Sequence, residues 1–172
     1  DIPRLRTLVA RRLAPWRWVL CASPDYLATH PAPAVPQDLT LHNCLLYCSN
    51  SRGEWQFRQG AKEETVRVHG SFRANNADGI LQAVRGGLGV AALPTMAAAD
   101  DLVAGRLVRL LPQHELPAGV LYAAYLPNPT MSQCVQTLVR FLVDEFGDAP
   151  PWDRRLGMVH ESGPAALRHG LE

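Results

Sequence analysis

A chain of 172 residues that is 47% hydrophobic, with 17 basic against 16 acidic side chains, is globular and can bury one sizeable core or two small lobes. Its net charge of +1 gives no global field to attract nucleic acid or an anionic membrane. Four cysteines, Cys21, Cys44, Cys48 and Cys134, sit in apolar runs without the dense spacing of a disulfide framework, which predicts reduced, buried thiols.

Two short strands open the readable part, Val9 to Leu13 and Trp16 to Ala22, joined at Ala14-Pro15. Ser23-Pro24 then starts a short helix, because serine caps an amide and proline at the first helical position wastes no donor. A helical turn at Pro36 to Leu39 leads to a strand at Cys44 to Cys48. Glu54 to Arg58 and Thr65 to Arg73 form a predicted antiparallel pair around a Gln59 to Glu63 loop. In the second of these, Val66, Val68, Phe72 and Ala74 alternate with Arg67, His69, Ser71 and Arg73, the period of a half-buried strand.

Asn75-Asn76 precede a helix with Ile80, Leu81, Val84 and Leu88 on one side, stopped at Gly86-Gly87. Gly89 to Leu93, bounded by Pro94, suits a strand covered on both faces. A second helix from Thr95 to Ala104, a strand at Leu107 to Leu111 and another at Val120 to Leu126 follow. Thr130, with Gln133 as capping-box partner, opens the longest helix. Its stripe of Val135, Leu138, Val139, Leu142, Val143 and Phe146 reads as core. The segment 148–172 lacks periodicity and is expected to be disordered. Strands alternating with helices give an α/β chain.

No catalytic constellation stands out: there is no G-x-S-x-G elbow, and the six histidines are scattered. A zinc or thiol enzyme built on His42, Cys44 and Cys48 lacks the second matching ligand pair. Gly86-Gly87-Leu88-Gly89 precedes a strand rather than a helix, the wrong order for cradling phosphate. No metal, cofactor or enzymatic activity is therefore expected. The start, Asp1-Ile2-Pro3-Arg4, shows no secretory signal, and the longest apolar run is too short to span a bilayer, so a soluble cytoplasmic protein is the expectation.

Six pieces in order carry a resemblance: Ala10-Arg11-Arg12-Leu13-Ala14-Pro15, Val19 to Leu27, His42-Asn43-Cys44-Leu45-Leu46-Tyr47, Asn75-Asn76, Gly86 to Pro94, and Gly105 to Val108 with Leu110-Leu111-Pro112. Over about residues 1 to 147 the chain resembles the effector-binding domain of LysR-type transcriptional regulators. The resemblance implies an α/β, type II periplasmic-binding-protein-like fold, with two lobes, a hinge of two crossing segments and a small-molecule effector between them. It implies a first lobe that is incomplete, its remnant being 1–23 and 119–147, and a second lobe at 24–118. It also implies that DNA is reached only through a winged helix-turn-helix not in this chain. Apolar residues left uncovered on the longest helix and on the Trp16 to Ala22 strand would favour homo-oligomers. A solute-binding receptor of a transport system shares the fold and is the alternative.

Under that resemblance, the ligand-binding residues expected are Cys21, Ala22 and Ser23 at a crossing strand, Tyr47 at a strand end, Asn75 and Asn76 at a helix start, and Leu93 and Pro94 on an apolar wall. Amides at a helix start favour an anion such as a carboxylate effector, although Asp78 adds its own negative charge there.

Overall fold

The structure is a computed structural model that describes residues 8–50, 52–125 and 133–158. Its elements run β1 (Val9–Trp16), β2 (Trp18–Ala22), α1 (Pro24–Leu27), a 3-10 turn at Pro36–Leu41, β3 (Cys44–Tyr47), β4 (Glu54–Gln59), β5 (Lys62–Arg67) and β6 (Arg73–Ala74). They continue with α2 (Ala77–Arg85), β7 (Val90–Pro94), α3 (Thr95–Val103), β8 (Val108–Arg109), β9 (Gly119–Tyr125), α4 (Gln133–Phe146) and α5 (Pro151–Arg155).

A five-stranded sheet in the order β6-β3-β7-β2-β8 organises the chain. β3 runs parallel to β6 and β7, while β2 runs antiparallel to β7 and β8. Alternation along its strands sends side chains into two cores. Leu20, Ala22, Leu46, Val90 and Ala92 face one side, against Trp55, Phe57 and Val66 of the β4–β5 hairpin and Val68 just beyond it. Val19, Cys21, Leu45, Ala91 and Leu93 face the other, against Ile80, Leu81 and Val84 of α2 and Ala98 of α3. A strand covered on both faces needs apolar residues at every position, and β7 is buried throughout.

Local signals account for the breaks. Gly87, at φ +75°, turns the chain out of α2 where a side chain would be strained, and a Cβ on Gly89 would lie 2.0 Å from the Asn43 carbonyl oxygen. That close approach lets the Val90 amide donate to the same oxygen at 2.9 Å, which starts β7 beside β3.

Several expectations are corrected. Arg17, not Ala14-Pro15, separates β1 from β2. The β4–β5 loop is a two-residue turn between Gln59 and Lys62, because Gly60 at φ +59° lets the hairpin close tightly. Trp18–Ala22 is hydrogen-bonded into the five-stranded sheet, with Val19 to Ala22 buried there rather than uncovered. Cys48 and Cys134 are exposed rather than buried. Leu88 lies beyond the end of α2 and is exposed. The stripe of α4 is not core: no residue of that helix is buried, and Val135 and Leu138 are exposed. Periodicity marks an apolar face without saying what covers it; among the described residues α4 packs against β1 of the β1–β9 ribbon, with Phe146 meeting Trp152 of α5 at its end. The 148–172 expectation fails at α5, where Asp153 is wholly buried. Thr130 and its capping box lie outside the described residues.

Candidate functional site

Two segments cross between the five-stranded sheet and the β1–β9 ribbon: the one at Arg17, and the connection from Leu110 to Ala118. Leu111, at φ 45°, turns the chain out of β8 into the second crossing. Arg58 and Glu115 exchange backbone hydrogen bonds at 2.8 Å, which fastens that crossing to β4. Leu116 and Pro117 are thereby set beside Trp55 and Gln56.

The result is a cavity of about 280 Å³ along the carboxyl ends of β3 and β7, where open α/β sheets take ligands. Trp18, Leu45, Tyr47, Ala92, Trp55, Leu116 and Pro117 form its apolar wall, and Ser49, Asn50, Glu54 and Gln56 bring polar groups. Trp18 and Tyr47 meet edge to face at 5.4 Å, a geometry that holds both rings in place. A larger cleft of about 1000 Å³ shares Trp18, Gln56, Leu116 and Pro117 with it and reaches Arg17, Arg58, Arg109 and Glu115.

Of the eight residues expected from the sequence, only Tyr47 lines the small cavity. Its hydroxyl is buried with no hydrogen-bond partner, and burial, with the charges of Asp78 and Cys21, pushes the phenol up to about 12. Cys21, Ala22, Leu93 and Pro94 are brought together in neighbouring β2 and β7, all packed in sheet. The Cys21 thiol contacts the Ala91 carbonyl at 3.8 Å, and burial, then Asp101, pushes its pKa up to about 12, so it stays a thiol. Ser23 accepts the Tyr26 amide at 3.3 Å as the cap of α1. Asn76 accepts the Gly79 amide at 2.7 Å as the cap of α2 and donates to Asn75 Oδ1 at 3.1 Å.

Sequence reasoning missed Trp18, Trp55, Gln56, Leu116 and Pro117 as cavity residues. The inward alternation of Trp55 with Phe57 was the one local signal. As for the zinc reading, Cys44 is in the core, where burial pushes its thiol up to about 12, and His42 Nδ1 is hydrogen-bonded to the Tyr26 hydroxyl at 3.1 Å. Among the described residues no cluster of three metal-ligating side chains forms, and no helix is long and apolar enough to cross a membrane.

A doubly covered sheet with a cleft at its strand ends and two crossing segments is the α/β arrangement of type II periplasmic-binding-protein-like domains. The regulatory domain of CrgA, a LysR-type transcriptional regulator from Neisseria meningitidis, superposes with a TM-score of 0.73 at 26% identity, over 81% of this chain and 70% of that one. A probable HTH-type transcriptional regulator, LtrA of Klebsiella pneumoniae, is 39% identical over 139 residues, 78% of this chain and 45% of the relative. The HTH-type transcriptional regulator PtxR of Pseudomonas aeruginosa is 34% identical over 149 residues, 86% of this chain and 48% of the relative. The chain thus spans slightly under half the length of these curated relatives. A family model described as LysR substrate binding domain matches residues 1–147. The chain belongs to that family.

Proposed function

We propose that this chain is the effector-sensing part of a LysR-type transcriptional regulator, a binding domain rather than a catalyst. A small organic molecule enters the cleft between the five-stranded sheet and the β1–β9 ribbon, and the change in hinge geometry is passed to a separate DNA-binding domain. The single observation that carries this reading is the apolar cavity at the carboxyl ends of β3 and β7, closed by the second crossing through Leu116 and Pro117. A ligand seated there touches both the sheet and the hinge, so it favours one hinge geometry over others.

Within the same proposal the effector is a carboxylate and the domain works as a homo-oligomer. At the start of α2, Asn76 already holds the Gly79 amide and Asp78 occupies the first turn. The anion is therefore received elsewhere along the cleft.

Melting temperatures of the chain with a panel of small aromatic and aliphatic carboxylates test the proposal, since a ligand that binds only the folded state raises them. A shift that disappears in Trp18→Ala is the expected result. A shift of undiminished size in both Trp18→Ala and Gln56→Ala would place binding outside this cleft.

A further inference from the structure

Past the last residue matched by the family model, the chain makes a third connection across the hinge. Gly147, at φ +53°, turns it out of α4. Pro150 and Pro151 then set it into α5, where proline at the first helical position wastes no donor. The stretch from Phe146 to Met158 thereby leads from α4, packed on β1 of the ribbon, to α5, packed on α3 of the sheet. It ends with Met158 on the wall of the larger cleft.

The two ends of this stretch are held unequally. On the sheet side, Asp153 has no exposed surface and receives the Arg17 guanidinium, and the Arg17 carbonyl accepts the Thr95 amide at 3.0 Å. The first crossing, α5 and the start of α3 are thus one unit, to which Arg155 adds its ion pair with Asp100. On the ribbon side the described contacts are slighter. The rings of Phe146 and Trp152 meet at 5.1 Å with an interplanar angle of 59°, and Arg12 of β1 pairs with Asp148 at 2.8 Å, both of them largely exposed. An exposed ion pair contributes little, which leaves the ring contact as the principal tie to the ribbon. Hinges bend at a few residues of the segments that cross them. A strap tied to both bodies resists that bending until one tie gives, and the weaker tie gives first.

We propose that α5 is a hinge strap: it travels with the sheet, and the contact between Trp152 and Phe146 is a catch that holds the β1–β9 ribbon at one angle to the sheet. This goes beyond effector binding, because the catch acts on the hinge whether or not the cleft is filled. The resting geometry of the cleft is then set by a segment that, Met158 apart, lies outside its walls.

Spin labels on Cys48 and Cys134 read that angle in the full chain without added cysteines. Cys48 follows β3 of the sheet and Cys134 lies on α4, and both are exposed, whereas Cys21 and Cys44 are buried. Distances would be measured by pulsed electron resonance with labelled chains diluted in unlabelled ones, so that only pairs within one chain count. An aromatic pair is worth up to about tenfold in an equilibrium, so Trp152→Ala should raise the share of molecules outside the parent's main distance about two- to tenfold. Trp152→Phe, which keeps a ring, should return most of them to it. Circular dichroism and melting temperature establish that each variant is folded, and Trp152→Leu takes the place of Trp152→Ala if the smaller side chain unfolds the chain. A folded variant with the parent's distance distribution overturns the catch, and so does a Trp152→Phe distribution as wide as that of Trp152→Ala. No ligand enters the experiment, so either failure leaves the reading of the cleft untouched.

Discussion

The Arg17 guanidinium donates to a carboxylate oxygen of Asp153, a residue 136 positions away with no exposed surface. The contact joins the crossing between β1 and β2 to α5, beyond the residues matched by the family model. α5 packs against α3, and Arg155 pairs with Asp100 on that helix. Removing one partner of a buried pair strands the other charge, so Asp153→Ala is expected to cost about 3 kcal/mol in denaturant unfolding. Asp153 Oδ1 has no hydrogen-bond partner, so the pair is incompletely satisfied. Replacing both residues, Arg17→Met with Asp153→Leu, should cost less than Asp153→Ala alone; an equal or greater loss would show that the charges themselves hold the hinge.

Asp101, also without exposed surface, receives hydrogen bonds from Arg85 of α2 and from Arg106 beyond α3. Burial pushes its carboxyl up, but the two guanidinium groups outweigh that and hold it below the usual carboxylate range. A carboxyl depressed in the folded state contributes stability that is complete above its unfolded pKa of about 3.9 and is lost as pH falls through the native value. Urea midpoints measured downward from pH 5 should therefore fall more steeply in the parent chain than in Asp101→Asn, which starts lower and has less to lose.

His42 behaves in the opposite chemical sense. Burial, then the charge of His30, lowers its pKa against a smaller opposing pull from Asp38, and the Tyr26 hydroxyl that contacts Nδ1 also accepts the Asn43 amide at 3.2 Å. A base kept neutral in the folded state binds fewer protons than in the unfolded chain, so stability decreases as pH drops below about 6.5. Tyr26→Phe leaves both the amide and the imidazole without this partner and should cost about 1–2 kcal/mol at neutral pH. A chemical-denaturation series from pH 8 to pH 5 reads both effects.

What the sequence disclosed was whatever is encoded within a few residues. The caps Ser23 and Asn76, the buried run of β7 and the alternation at Val66 and Val68 are set by neighbours along the chain, and each forms as its pattern indicates. The cavity is different. It exists because Trp18, Tyr47, Trp55 and Leu116 come from four separate elements, and no spacing in the chain records that meeting. Cys21 and Leu93 read as site residues because their strands lead to the cleft, yet they lie within the sheet and their side chains face α2 and α3. The helix of α5 was missed because five residues have too little length to show a period.

Asn76 separates a structural role from a binding one. Both ends of its side-chain amide are engaged, to Gly79 and to Asn75. Asn76→Ala should cost about 1 kcal/mol in stability, as the loss of an N-cap does, and Asn76→Ser or Asn76→Asp should restore most of it. Effector affinity measured under conditions where each variant is fully folded should be unchanged. A loss of affinity in Asn76→Ser, with stability restored, would return this residue to the binding site.

The exposed face of α4 has a measurable consequence. Leu138 and Phe141 are 55% and 59% exposed, and Val139, Leu142, Val143 and Phe146 are only half-buried. Apolar side chains that gain nothing from the intramolecular core can gain from a second surface, and an apolar patch of this kind drives association. Leu138→Glu with Phe141→Glu removes the patch while leaving the core intact, so the melting temperature should hold, with a stability change within about 0.5 kcal/mol. Light scattering across a concentration series should show association in the parent chain and a monomer in the double variant. The half-buried positions provide the control: Val143→Glu should lower the melting temperature, because that side chain belongs to the half-covered part of the stripe. A parent chain that stays monomeric at every concentration would mean that this face is tolerated in water, and the oligomer proposal would lose its physical basis.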